Sequence, residues 1–386
     1  MRILHTSDWH LGRSFHRESM LTHQAAFADH LLEVVAAEQV DLVVVAGDVY
    51  DRALPPVDAV RLADDTLARL ASSRATVVVT SGNHDSAHRL GFGSRLIDAA
   101  GVHIRADAAQ VGVPVTLADE HGPVAVYALP YLDPESVREA WGLAGRSHQA
   151  ALAEALRRVR LDLATLPAGT RSVVVAHAFV AGGRPSDSER DIAVGGVQVV
   201  PAALFDGIDY TALGHLHGRQ SLTPRVRYSG SPLAYSFSEA AHVKGSWLVD
   251  LGVDEPQAEF VEAPVPRSLA RLSGTLEELL HDPRHSTAET SWVEVTLTDD
   301  VRPGQAMERL RRRFPHTLLL SFAPTHPPPG EAPVARPTGR SDHEIALEFV
   351  AELRGRPATP AERALLGAAC DAVPDDPDAD VLGRGA

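Results

Sequence analysis

Residues 42–52 read Leu42-Val43-Val44-Val45-Ala46-Gly47-Asp48-Val49-Tyr50-Asp51-Arg52. Five apolar residues in an unbroken run are too short for a helix and suit a strand buried on both faces, as in a parallel sheet. Gly47 lets the backbone turn as the strand ends. Asp48 then stands at the carboxyl end, the rim where α/β sheets hold their ligands. The same arrangement recurs along the chain. Ile3 to His5 leads to Asp8 and His10, and Val77-Val78-Val79 leads through Gly82 to Asn83 and His84. Val173-Val174-Val175 leads to His177, and Tyr210 to Leu213 leads through Gly214 to His215 and His217. Five strand ends therefore converge with potential ligands on one rim. Asp8 and His10, two apart, are expected on an extended backbone with both side chains to one side.

Helical patterns separate these runs. One around 18–38 carries Phe27, Leu31, Val34 and Val35 on one face, and another around 57–71 follows Pro55-Pro56. Further strands are predicted near 111–117, 124–129, 226–229 and 246–251. Strands alternating with helices predict a layered α/β domain over 1–265. After Pro264-Val265-Pro266 come a helix near 275–281, a strand at 292–297, a helix at 304–314 and a strand at 317–322, predicting a small α+β unit over 266–323. A proline-rich linker spans 324–340. Two helices fill 341–373, each opened by a capping box: Ser341 with Glu344, and Thr359 with Glu362, the latter with Pro360 at the first helical position. An acidic tail, 374–386, closes the chain.

Composition narrows the class. A chain of 386 residues suggests two to three folding units at about 150 residues each. With 44% hydrophobic and 23% charged residues, the chain can build a sizeable core, which excludes disorder as its main state. No stretch approaches the ~18 apolar residues of a membrane span. A carboxylate as early as Asp8 leaves no room for a secretory hydrophobic region. Cys370, the one cysteine, makes no intrachain disulfide or zinc cluster and fits a reducing cytoplasm. The net charge of −15 means that the overall field does not hold nucleic acid, so such binding needs local arginine patches, bound cations or a partner. Lys244 is the only lysine, which reads as codon bias in a GC-rich genome.

Each donor alone is ordinary: a lone histidine is usually structural, and Asp after Gly is a common turn or cap. Together Asp8, His10, Asp48, Asn83, His177, His215 and His217 are seven oxygen and imidazole donors at strand ends. Such a set suits two divalent cations sharing one carboxylate, with Mn²⁺, Fe²⁺ and Zn²⁺ equally acceptable.

The motifs Ser7-Asp8-Trp9-His10-Leu11-Gly12, Gly47-Asp48-Val49-Tyr50-Asp51-Arg52, Gly82-Asn83-His84-Asp85, Ala176-His177 and Gly214-His215-Leu216-His217 resemble those of calcineurin-like metallophosphoesterases. More narrowly, Trp9-His10-Leu11-Gly12, Arg190-Asp191-Ile192 and Tyr228-Ser229-Gly230-Ser231-Pro232 followed by Ser236-Phe237 are similar to the SbcD family of bacterial nuclease subunits. The resemblance implies two mixed sheets flanked by helices, a capping domain that reads DNA ends, and C-terminal helices that grip an SMC-like ATPase. It implies one metal at Asp8, His10, Asp48 and His217 and another at Asp48, Asn83, His177 and His215, with Mn²⁺ favoured. His84 matches the transition-state histidine, with Asp85 placed to orient it or raise its basicity. Asp51 reads as a supporting, DNA-proximal or loop-capping residue.

The implied activity is metal-dependent hydrolysis of DNA. It would act as a double-strand 3′–5′ exonuclease and as an endonuclease on single strands and hairpins. No Walker-type loop is present, so ATP hydrolysis falls to the partner. A homodimer within a heterotetramer, in the cytoplasm at the nucleoid, completes the implied picture. Arg52, Arg89, Arg184, Arg190 and Arg312, the last from a helix that also carries Arg309, Arg311 and Arg313, are candidate DNA contacts. Ile345, Phe349 and Leu353 opposite Glu348 and Glu352, with Leu365, Leu366, Ala369 and Val373 on the second helix, form apolar stripes that two short helices cannot bury alone. Competing readings are another two-metal phosphodiesterase or phosphatase, which would not need the region after 266, and an inactive scaffold. A scaffold typically lacks ligands, whereas all seven positions and His84 are present here.

Overall fold

The structure, a computed structural model, describes residues 1–189, 199–325, 341–354 and 356–371. Met1–Ala323 form one compact unit, and the chain from Pro324 forms a second.

The Leu42–Ala46 strand is buried at every position, as its unbroken apolar run requires. It lies between Arg2–Thr6 and Thr76–Thr80, parallel to both. The full sheet runs, in spatial order, Gln257–Glu262, Gly245–Asp250, Arg2–Thr6, Leu42–Ala46, Thr76–Thr80 and Val102–Arg105. A second six-stranded sheet runs Gln220–Thr223, Val226–Tyr228, Tyr210–Gly214, Arg171–His177, Gly122–Leu129 and Val115–Asp119. Both sheets are mixed: parallel in their centres, antiparallel at the Gln257–Glu262 side of the first and at both edges of the second.

Side-chain alternation sorts the faces. Leu42, Val44 and Ala46 point inward with Ile3 and Val78, meeting Val126, Val173, Val175 and Ala212 of the second sheet. Val43 and Val45 point outward, beneath Phe27 and Leu31 of the Leu21–Ala37 helix and Ala63 and Leu70 of the Val57–Ala71 helix. On the far side, Val174 and Leu213 pack on Leu152, Ala155, Leu156 and Val159 of the His148–Leu163 helix. The result is helix, sheet, sheet, helix, with three apolar layers between. The sheets are also tied by charge: Asp119 accepts from the Met1 amino group at 2.6 Å and from Arg171, and all three are largely buried.

Residues 269–322 form a smaller layer of three parallel strands, Leu269–Gly274, Trp292–Leu297 and Thr317–Phe322, in that order. The Leu276–His281 and Ala306–Arg313 helices cover one face through Leu276, Leu279, Val293, Val295, Leu310 and Phe314. The other face is held by an aromatic cluster. There Trp292, Leu318 and Leu319 meet Phe15 and Met20, beside the Ser14–Ser19 hairpin, and Leu233, Tyr235 and Phe237. In the C-terminal unit, both capping boxes form: Glu344 and Glu362 accept from the backbone N–H of Ser341 and Thr359, each at 2.9 Å. The helices Asp342–Arg354 and Pro360–Asp371 are linked by Arg354 to Glu362 at 2.6 Å.

The predicted Leu42–Ala46, Val57–Ala71, Trp292–Leu297 and Thr317–Phe322 elements are found at those bounds. Several elements escape the sequence pattern: Val102–Arg105, Gln257–Glu262, Leu269–Gly274, Pro134–Trp141 and His148–Leu163. Gln257–Glu262 alternates exposed and half-buried positions and gives little hydrophobic signal. The five donor-bearing strands are divided three to two between the sheets rather than belonging to one. Residues 326–340 of the linker, the acidic tail, Arg190 and Val373 lie outside the described residues.

Candidate metal centre

The extended backbone expected at Asp8 and His10 is not what the structure has. Asp8 (φ 53°) and His10 (φ 45°) are left-handed, and so are Asp48 (φ 48°) and His215 (φ 100°). Eight described non-glycine residues have positive φ, and half of them are these candidate donors. Such conformations cost of order 1–3 kcal/mol each and persist only where the surroundings enforce them. The enforcement is visible: Asp8 N–H donates to Gly47 O at 3.1 Å, and His10 N–H to Asp48 O at 2.9 Å. The chain past the first strand is thereby laced to the chain past the second. Glycine is needed alongside for close approach. A Cβ at Gly47 would lie 2.3 Å from His177 Nδ1, and one at Gly214 would lie 1.8 Å from Ala46 O.

Asp8, His10, Asp48, His84, His177, His215 and His217 are all buried, and Asn83 is half-buried beside them. His10 Nε2 is 3.0 Å from His217 Nε2. His177 Nε2 is 2.9 Å and His215 Nδ1 3.3 Å from Asn83 Oδ1. Asp48 Oδ2 lies between the two groups, 3.6 Å from His10 Nε2 and 3.5 Å from His177 Nε2. Donor atoms of Asp8, His10 and His217, of His10, Asp48 and His84, and of Asp8, Asp48 and His177 each fall within 4.8 Å of one another.

These residues fit divalent cations. Two donors bound at about 2.1 Å to one ion stand roughly 3–4 Å apart, the spacing found here. His177 Nδ1 donates to Ala46 O at 3.0 Å, which turns Nε2 toward the Asn83 oxygen and Asp48. His10 Nδ1 is buried with no hydrogen-bond partner. Burial, then the charge of Asp48, pushes the Asp8 carboxyl well above its usual range. Burial also raises Asp48, but the imidazoles of His177 and His84 outweigh it and hold that carboxyl low. Burial, then His217, drives His10 well down, and burial, then His177, brings His215 to about 3. Asp8 and Asp48 in charge conflict, with the imidazoles of His10 and His215 driven toward their uncharged, lone-pair-bearing forms, make a donor set that positive charge completes.

His84 Nδ1 donates to Asp51 O at 2.7 Å, which turns Nε2 to within 4.0 Å of Asp48 Oδ2. The Asp85 carboxylate accepts from the N–H groups of Val49 (3.1 Å), Tyr50 (2.9 Å) and Gly82 (2.9 Å), joining the loops that carry Asp48 and Asn83. Asp51 Oδ1 stands 3.8 Å from His10 Nδ1 and 3.7 Å from Arg13 Nε. Sequence reading passed over Ser188, Glu189, Glu239 and Tyr235, which pack behind His10 and His217. Among the arginine candidates, Arg52 reaches Asp51 at 3.5 Å, Arg89 donates to Ala53 O, and Arg184 is exposed. None of these is drawn into the cluster. Arg312 pairs with Glu308 and lines an open groove with Arg309, Arg313 and His281.

A sequence profile described as calcineurin-like phosphoesterase matches residues 1–219. The SbcD component of the SbcCD nuclease of Staphylococcus saprophyticus is 32% identical over 324 residues, 83% of this chain and 84% of its own. The chain belongs to the calcineurin-like phosphoesterases, in their SbcD family. This phosphoesterase also matches, over 265–352, the profile described as type 5 capsule protein repressor C-terminal domain. Among solved structures, a dimetal phosphatase from Danio rerio shares 14% identity at TM-score 0.41, and the TT1561 protein of Thermus thermophilus shares 12% at 0.39. Each pairing covers 67% of this chain and 98% of the other. No helix among the described residues is long and apolar enough to cross a membrane.

Proposed function

We propose that this phosphoesterase is the nuclease subunit of an SbcCD-type complex, hydrolysing DNA phosphodiester bonds with two divalent cations, Mn²⁺ by preference. The observation that carries the reading is the position of Asp48 Oδ2, 3.6 and 3.5 Å from imidazoles of two separate donor groups. Asp8, His10, Asp48 and His217 would hold one ion, and Asp48, Asn83, His177 and His215 the other. When bound, the ions supply charge neutralisation at the phosphodiester and activation of the attacking water.

The chain's own groups do the rest. With Nδ1–H committed to Asp51 O, the His84 ring donates from Nε2 when it carries its second proton. That proton can go to a non-bridging phosphate oxygen or to the departing 3′-alkoxide. Asp85 holds the two donor loops in register through three backbone amides. No side chain need act as a covalent nucleophile.

The unit at 266–323 acts in this reading as a cap that reads DNA ends, with Arg309 and Arg312 available to phosphate. The resemblance to the SbcD family suggests a homodimer, which would cover exposed apolar side chains such as Phe92 (88%) and Leu96 (82%). Exposed Phe349 and Leu365 on the C-terminal helices support docking of an SbcC-type ATPase, giving a heterotetramer with double-strand exonuclease and hairpin activities driven by ATP. The assembly would work in the cytoplasm at the nucleoid.

The test is cleavage of blunt, hairpin and single-stranded DNA with and without Mn²⁺, alone and with partner and ATP. Mn²⁺-dependent single-strand cleavage by the chain alone is expected. Turnover of cyclic nucleotides or phosphoproteins with none on DNA would overturn the reading.

A further inference from the structure

Of 36 basic residues in the sequence, 35 are arginine and one, Lys244, is lysine. Codon bias accounts for the arginines. The structure accounts for the exception. Lys244 is buried, and its Nζ donates to His217 O at 2.8 Å, to Ser231 Oγ at 2.9 Å and to Glu239 Oε2. An ammonium carries three N–H groups in a tetrahedral arrangement, and all three are used. A guanidinium is planar, wider and carries five, so arginine here would leave buried donors unsatisfied.

The partner of Lys244 faces the metal centre. Glu239 is 1% exposed. Its Oε1 accepts from Ser188 Oγ and stands 3.4 Å from His217 Nδ1. Ser188 Oγ is 2.6 Å from the same Nδ1. The hydroxyl donates to the carboxylate and therefore accepts from Nδ1–H, which fixes the His217 tautomer with its Nε2 lone pair toward His10 and Asp8. Glu189 Oε1 accepts the His217 backbone N–H at 2.8 Å and completes the grip. His177 differs, since its Nδ1 donates to a neutral carbonyl, Ala46 O. One half of the centre is backed by an ionised carboxylate and the other by the backbone.

We propose that Glu239, held by Lys244 and acting through Ser188, is the positioning residue for His217, and that it sets the affinity of the His217 ion alone. The inference rests on the two-ion reading above. Supporting groups of this kind commonly change metal affinity 10–100-fold when removed.

The experiment titrates Mn²⁺ into the full chain by calorimetry, with bound ions counted by electron paramagnetic resonance and folding checked by circular dichroism. The wild type is expected to bind two ions. Glu239→Gln should weaken one by about 10–100-fold and leave the other unchanged, and His217→Ala should abolish that same one. Lys244→Arg, although it keeps the charge, should resemble Glu239→Gln. Equal weakening of both ions in Glu239→Gln, or none, overturns the proposal. Should that variant fail to fold, Ser188→Ala decides, because it removes only the bridging hydroxyl. Selective weakening of the His217 ion then supports the proposal, and unchanged binding overturns it. A wild type that binds fewer than two ions would instead refute the reading on which it rests.

Discussion

One methyl group at position 47 tests the geometry of the centre. Gly47 and Gly169 share the same backbone angle, φ +84°, which L side chains rarely adopt. A Cβ at Gly169 meets nothing within 4 Å, whereas one at Gly47 meets His177 Nδ1 at 2.3 Å and Cγ at 2.7 Å. The pair therefore separates conformational cost from steric cost. Gly169→Ala should lose about 1–2 kcal/mol, the left-handed penalty, and keep wild-type activity. Gly47→Ala carries that penalty plus about 1–3 kcal/mol for overpacking. To restore contact at 3.4 Å, the imidazole must retreat 3.4 − 2.3 = 1.1 Å, which breaks its 3.0 Å bond to Ala46 O and carries Nε2 away from Asp48. A displacement of about 1 Å at a catalytic centre costs on the order of 100-fold in rate. Thermal denaturation, Mn²⁺ stoichiometry and single-strand cleavage should be measured on both variants. Gly47→Ala with two bound ions and wild-type turnover would refute the assignment of His177 to the centre.

His84→Ala should keep both ions and bind DNA while losing at least 100-fold in turnover, because its proton, not its lone pair, is what the reaction uses; loss of metal in the same variant would make it a ligand. Native protein should resist amine-reactive acylation at Lys244, which is 6% exposed, and react there once unfolded, as peptide mass mapping would record. Asp119→Asn should cost about 3 kcal/mol at neutral pH, since it leaves Arg171 buried without its carboxylate. The Asp119 carboxyl is held below its ordinary value: burial opposes this, but the bonds from Arg171 and the Met1 amine prevail. Its contribution is therefore complete above the ordinary carboxylate range near pH 4 and lost as pH falls through the depressed value. Wild type and Asp119→Asn should accordingly converge in denaturation midpoint only in strong acid. Trp292→Ala should loosen residues 269–322 from the rest of the unit, and faster proteolysis between 262 and 269 would register it.

Much of this molecule is legible along the chain because its signals are local. A five-residue apolar run reports a doubly buried strand, Gly before a donor reports a turn at the strand end, and Ser341 with Glu344 reports a capping box. Each depends on neighbours within a few positions. The donors at the candidate centre could be named from residue type and position alone, because strand ends are where a sheet exposes them.

Their arrangement could not be read in that way. His10 and His217 stand 207 positions apart in sequence and 3.0 Å apart in space, joined because two sheets, not one, pack across Ile3, Val44, Val126 and Val175. The same packing forces Asp8, His10, Asp48 and His215 into left-handed backbone that local preference opposes. It also gives the His84 ring to a carbonyl of Asp51 and spends Asp85 on backbone amides. Lys244 is the sharpest case. In sequence it is one lone lysine, and it acquires a role only when burial leaves room for three donors and supplies three acceptors, two of them from distant loops. Local rules act over a few residues, whereas desolvation and close packing act on whatever the fold brings together. That is why composition and pattern yield the elements and the donor types, and the packed core alone yields the site.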